Sequence, residues 1–118
     1  MEAGANILIV VPDPDFRQSL GFVLETEGCE VRLAGRLPAE ADLETAYDCI
    51  IVDDKSLPKR ADRYRCLERL PRPLILLVDR RPNMMVDGSV TLIEKPILGS
   101  GLIEAVQSLL RPAERPTA

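Results

Sequence analysis

Five short aliphatic runs alternate with amphipathic stretches along this chain, and that alternation constrains its fold more than any other feature. Asn6–Val11, Cys49–Val52 and Leu74–Val78 are apolar almost throughout. Unbroken apolar strands are the pattern of a sheet covered on both faces. Glu30–Ala34 instead alternates polar and apolar residues, as an edge or half-buried strand does, and Val90–Ile93 supplies a fifth strand. Strands that alternate with helices in a chain of 118 residues imply a doubly wound, five-stranded parallel sheet with helices on both faces.

The connecting segments carry helix signals. Asp13-Pro14 reads as an N-cap followed by proline at the first helical position. Phe16, Leu20, Val23 and Leu24 then recur at helical spacing, and Gly28 marks a stop. Gly21 lies mid-helix, where glycine costs about 1 kcal/mol relative to alanine. It removes bulk beside Phe22, which lies off the apolar stripe. Pro38–Ala46 reads as a short, weakly amphipathic helix, and Ala61–Leu70 as a helix packing Tyr64, Cys66, Leu67 and Leu70. Residues 79–89, with Pro82, Asn83 and Gly88, leave room for one or two turns. Ser100 caps a last helix whose stripe is Leu102, Val106 and Leu109, widened by Ile103 and Leu110. The expected organisation is one domain over residues 1–111 and a loose, proline-rich tail over 112–118.

The bulk numbers exclude several classes. No apolar run is long enough to span a bilayer, and no secretory leader opens the chain, so a cytoplasmic protein without membrane contact is expected. Cys29, Cys49 and Cys66 show no CxxC spacing and read as reduced, mostly buried thiols, with a metal or redox cluster as the alternative. The net charge of −4 is unevenly spread: residues 55–81 carry nine of the fifteen Lys and Arg and only three of the nineteen acids. A basic face on an acidic body reads as a solvated arginine-rich face or as a contact with an acidic protein surface. A low pI and one aromatic in that stretch, Tyr64, speak against nucleic acid.

In open parallel sheets, sites form beyond the carboxyl ends of the strands. Those ends here are Val11–Asp13, Asp53-Asp54, Val78-Asp79 and Glu94-Lys95. Three segments carry a family resemblance. They are Ile7–Val10 followed by Asp13-Pro14-Asp15-Phe16-Arg17, the run from Tyr47 through Asp53-Asp54 to Leu57-Pro58, and Leu92-Ile93-Glu94-Lys95-Pro96. Together, from Ile7 to Leu110, the chain resembles the receiver domain of two-component response regulators. The last segment is most similar to the branch ending in Leu-Glu-Lys-Pro, typified by nitrogen-fixation regulators. The resemblance implies a flavodoxin-like sheet of order 2-1-3-4-5. Short spacings from Pro58 to Pro73 and from Val78 to Lys95 imply shortened third and fourth helices.

The resemblance also says what a working pocket needs: an acceptor aspartate, an acidic pair for Mg²⁺, a lysine, a hydroxyl and a switch aromatic. By distance to Leu57-Pro58 the acceptor position is Asp54, with Asp53 the alternative, since the doubled aspartate leaves the register open. Lys95 matches the lysine, and the Lys95–Pro96 bond is expected to be cis. Val11 and Pro12 stand at the acidic pair, Val78 at the hydroxyl and Leu92 at the switch position. One aspartate beside a valine and a proline offers too few oxygens for octahedral Mg²⁺, with Asp13 the rescue ligand beside Asp54. No cofactor is therefore expected, and an Asp54–Lys95 ion pair is expected to remain as structure.

The leading expectation is an atypical, degenerate receiver, not an enzyme, that acts through protein contacts or dimerisation without phosphorylation. Its partners would be a histidine kinase, a phosphotransferase protein or a second copy. Phe22 and Gln18 on the first helix, and Met84 and Met85 in the shortened segment, are the candidate contacts. Two alternatives stand beside it. One is a receiver phosphorylated on Asp54 with unusual metal ligation. The other is a receiver-like kinase inhibitor that senses redox state or metal through its cysteines.

Overall fold

The computed structural model describes residues 5–38, 47–59, 63–70, 73–80, 90–97 and 99–110. Five parallel strands form one sheet in the order β2-β1-β3-β4-β5. They are β1 (Asn6–Val10), β2 (Glu30–Ala34), β3 (Cys49–Asp53), β4 (Leu74–Val78) and β5 (Val90–Glu94). Two α-helices, α1 (Pro14–Glu25) and α2 (Gly99–Leu109), and two 3-10 helices, Asp54–Ser56 and Arg63–Arg69, complete the described elements. The expected doubly wound α/β fold and strand order are both present.

Strand alternation divides the aliphatic residues between two cores. Ile7, Ile9, Val11, Ile51, Ile75 and Leu77 face α1 and α2 and pack on Leu20, Leu24, Leu102 and Val106. Leu8, Val10, Ile50, Val52, Leu76 and Val78 face the other way and pack on Leu57, Leu67 and Leu70. Both faces of β1, β3 and β4 are closed, which is why those strands are apolar apart from Asn6 at the start of β1 and Asp53 at the end of β3.

Helix α1 begins as its sequence dictates. Asp13 caps it by accepting the Asp15 amide at 3.1 Å, and Pro14 occupies the first position. Gly28, at φ 90°, turns the chain into β2 in a conformation that disfavours a side chain. Gly21 has a different reason from the one its sequence neighbour suggested. A Cβ there would lie 3.1 Å from Leu33 Cδ2 and 3.6 Å from Val31 Cγ1, so the glycine lets α1 settle on β2.

Several boundaries differ from the sequence reading. Ser100 lies inside the first turn of α2, which already starts at Gly99, so it is not the cap. The described part of the third helix is a 3-10 helix. Tyr64, Leu67 and Leu70 repeat every third residue, and in a three-residue turn they stack on one edge against the core. The 3-10 form also rises further per residue, which suits a short connection. The helix read over 38–46, the short fourth helix, Met84, Met85 and the tail over 112–118 lie outside the described residues, apart from Pro38.

Candidate functional site

Strand β3 runs one residue further than its apolar pattern, to Asp53, and this decides which aspartate faces the sheet's carboxyl edge. The register pairs Val10 with Val52, so Asp53 follows at the level of Val11, on the α1 face of the sheet. Its side chain is 2% exposed. Lys95, one residue beyond β5, points its ammonium at both carboxylate oxygens, 3.0 Å from Oδ1 and 3.0 Å from Oδ2. Asp53 also caps the 3-10 turn that follows, its Oδ1 accepting the Lys55 amide at 3.0 Å. Ser56 Oγ donates to the Asp53 carbonyl at 2.7 Å and tightens that turn.

The Asp54–Lys95 pair expected from the sequence is therefore made by Asp53 instead. Counting back from Leu57-Pro58 favoured Asp54 because it assumed a fixed distance from strand to proline. The chain fits its 3-10 turn between Asp53 and Leu57, which moves the strand end one residue earlier. Asp54 sits between a carboxylate and a guanidinium. Its carbonyl accepts from Arg63 Nη2, while its buried Oδ1 finds no hydrogen-bond partner among the described residues. Burial first, and then the neighbouring Asp53 carboxylate, push the Asp54 pKa up.

Lys95 has a second carboxylate at hand. Asp79, just past β4, lies 3.4 Å from its Nζ, and Lys55 Nζ approaches the other Asp79 oxygen at 3.5 Å. The Phe16 ring lies under the ammonium at 5.5 Å. Burial works against the Lys95 charge, but Asp53 and Asp79 together outweigh it and raise its pKa. The Asp79 carboxyl is held below its usual range, mainly by Lys95. Asp53, Lys95, Asp79 and Lys55 thus form a chain of alternating charges across the exits of β3, β5 and β4.

Around that chain the described residues offer few ligands to a metal. Val11 is fully buried and Val78 is fully buried on the opposite face, while Pro12 is exposed. Arg17 donates from Nη1 to the carbonyls of Val11 at 2.8 Å and Pro12 at 3.4 Å, putting a fixed cation over the exit of β1. Asp13 is occupied at the helix cap. Both Asp53 oxygens are occupied by Lys95, and no three Asp, Glu, His or Cys side chains converge among the described residues. The described residues do not fit an octahedral Mg²⁺ site.

Other sequence candidates scatter. Leu92 packs on the face away from Asp53. Phe22 stands 68% exposed on α1, with Gln18 one turn before it, also exposed. The Lys95–Pro96 bond is cis. The three cysteines do not meet: Cys29 and Cys49 lie in the α1 face core and Cys66 against the other. Burial raises the Cys29 thiol and lifts Cys49 to about 12, which leaves Cys49 without thiolate character. The sequence reading named Asp79 only as a strand end and missed Arg17 and Arg63. For these arginines the signal is spatial, a side chain folding back onto a strand exit, and no spacing rule announces it.

No family model and no curated protein matches the chain. Solved structures do. A response regulator receiver domain protein from Clostridium thermocellum aligns with a TM-score of 0.72 at 23% identity, covering 93% of this chain and 97% of that one. A receiver domain protein from Bacillus halodurans aligns at 0.71 and 19% identity, covering 90% and 97%. The receiver domain of a Pseudomonas aeruginosa sensor histidine kinase, solved with magnesium coordinated in its active-site cleft, aligns at 0.71 and 20% identity, covering 92% and 98%. The chain has the fold of response regulator receiver domains. No described helix is long and apolar enough to cross a membrane.

Proposed function

We propose that this chain is an atypical, cytoplasmic receiver domain of two-component signal transduction that works by binding protein, independently of phosphorylation. The observation that carries the reading is the state of Asp53, the carboxylate at the acceptor position in space. It is 2% exposed, held on both oxygens by Lys95, and bordered by Val11 where the resemblance calls for an acid. A phosphoryl group would add about two negative charges there. Lys95 is already shared between two carboxylates, and among the described residues no convergent set of acidic side chains offers a divalent ion a place. With valine at the hydroxyl position and leucine at the switch position, the domain also lacks the side chains that would relay the added charge.

The partner on this reading is a histidine kinase or phosphotransferase protein, met through the exposed flank of α1 at Phe22 and Gln18. The test is incubation with Mg²⁺ and a small phosphodonor, followed by intact mass measurement. The expected mass is unchanged. An adduct of one phosphoryl group on Asp53 or Asp54 overturns the proposal.

A further inference from the structure

Strand β2 ends the sheet on one side, and its outer edge is self-complementary. The Glu30 amide donates to Ala5 and the Ala34 carbonyl accepts from Val11, so even-numbered residues of β2 turn their backbone groups toward β1. Alternation then points the N–H and C=O groups of Val31 and Leu33 outward. Among the described residues no strand pairs with that edge. Two large hydrophobic residues are left exposed among the described residues, Leu33 on this strand at 39% and Phe22 on the adjoining α1 at 68%.

We infer that this chain forms a two-fold dimer by antiparallel pairing of β2 with β2 of a second copy, in the register that sets Val31 opposite Val31. The charges on the strand select that register. Centred on Val31, Glu30 lies opposite Arg32 of the second copy and Arg32 opposite Glu30, two ion pairs from one symmetric contact. Centred one residue either way, Glu30 meets Glu30 or Arg32 meets Arg32, and like charges directly opposite are destabilising. The same two residues that guard the edge against indiscriminate strand pairing therefore admit one partner, a second copy.

The α1 helices follow. Helix α1 packs over β1 and β2. A two-fold axis through Val31, perpendicular to the sheet, places both copies of α1 on one face. Strands are about 4.8 Å apart, so two helices each set back by about one strand spacing stand about 10 Å from one another, the separation of packed helices. Gly21 faces Val31 and Leu33, and in the dimer the exposed ring of Phe22, the next residue on α1, is covered by the second copy. The inference rests on the proposed reading only in taking protein binding as the mode of action. It adds that self-association and a kinase compete for Phe22.

Sedimentation of the full chain over a wide concentration range tests it, with Glu30→Arg and Arg32→Glu as single variants. The wild type is expected at twice the monomer mass, and each single variant at the monomer mass. Mixing the two single variants is expected to restore the dimer, because every charge then meets its opposite, and this also shows that both variants are folded. A monomeric wild type, a dimer that survives either single reversal, or a mixture that stays monomeric overturns the inference. None of these outcomes alters the phosphodonor result, so the two proposals fail separately.

Discussion

Lys95 Nζ stands 3.0 Å from both carboxylate oxygens of Asp53, and that equal approach fastens the end of β3 to the end of β5 across β4. The pair is nearly dry, with Asp53 2% and Lys95 17% exposed. Its removal from one side has a defined consequence. Lys95→Met leaves a buried carboxylate without its counter-ion and is expected to cost about 3 kcal/mol in urea unfolding, as breaking buried pairs does. Adding Asp53→Asn to that variant is expected to recover part of the loss. Two losses that simply add show that the pair does not act as a unit.

Asp54 gives stability a pH dependence of opposite sign to an ordinary salt-bridged carboxylate. Its folded pKa is raised, chiefly by burial and then by Asp53. Its contribution to stability is present at low pH and is lost as pH rises from the unfolded value through the raised folded one. Asp54→Asn removes that dependence, so the variant is expected to gain on the wild type progressively from about pH 4 upward. Asp79 runs the other way. Its pKa is lowered, so its contribution is present above the unfolded value and disappears as pH falls through the folded one. Denaturation midpoints of the two Asn variants across pH check both signs.

Gly21→Ala sets helix propensity against a contact. Alanine gains up to about 1 kcal/mol in a helix interior. The new Cβ meets Leu33 Cδ2 at 3.1 Å, the far end of a side chain that is 39% exposed and can turn aside. The expected net effect is stabilisation by about 0.5 kcal/mol, seen as a raised midpoint. Destabilisation would show that Leu33 is pinned.

Leu67 and Phe22 separate the core from the surface. Leu67 is 2% exposed in the core under the 3-10 helix, and Leu67→Ala is expected to cost about 3 kcal/mol. Phe22→Ser removes a larger side chain that is mostly in solvent and is expected to change stability by less than about 0.5 kcal/mol. It should weaken partner or self-association.

Thiol labelling of the native protein is expected to reach Cys66, which is half-buried, well before Cys49, whose thiol burial lifts to about 12. Equal rates would contradict the packing of β3.

The sheet was legible because its physics is periodic. Strands closed on both faces have to be apolar along their buried length, and β1, β3 and β4 are, with Asn6 and Asp53 only at strand ends. The edge position of β2 was visible in its alternation. The 3-10 helix at Arg63–Arg69 was legible in retrospect, in the three-residue repeat of Tyr64, Leu67 and Leu70, but the same residues also suit an α-helix and the sequence reading took them so. The candidate site was half legible. Asp53, Asp54 and Lys95 are all in it, yet the choice between the aspartates turned on where a short turn begins, and one residue of strand length has no sequence signature. Asp79, Arg17 and Arg63 came from contacts between segments distant in sequence or folded back on themselves, which no spacing records.

Lys95 Nζ donates to Asp53 Oδ1 and Oδ2 and stands in an ion pair with Asp79 Oδ1 at 3.4 Å. On the proposed reading this bears on time as well as structure. A domain switched by a covalent group carries a clock, the lifetime of the bond. On that reading this domain, with its ammonium already shared inside the fold, has no such clock. The duration of any signal it passes is then the residence time of its partner, set by dissociation and by how much of each protein the cell makes.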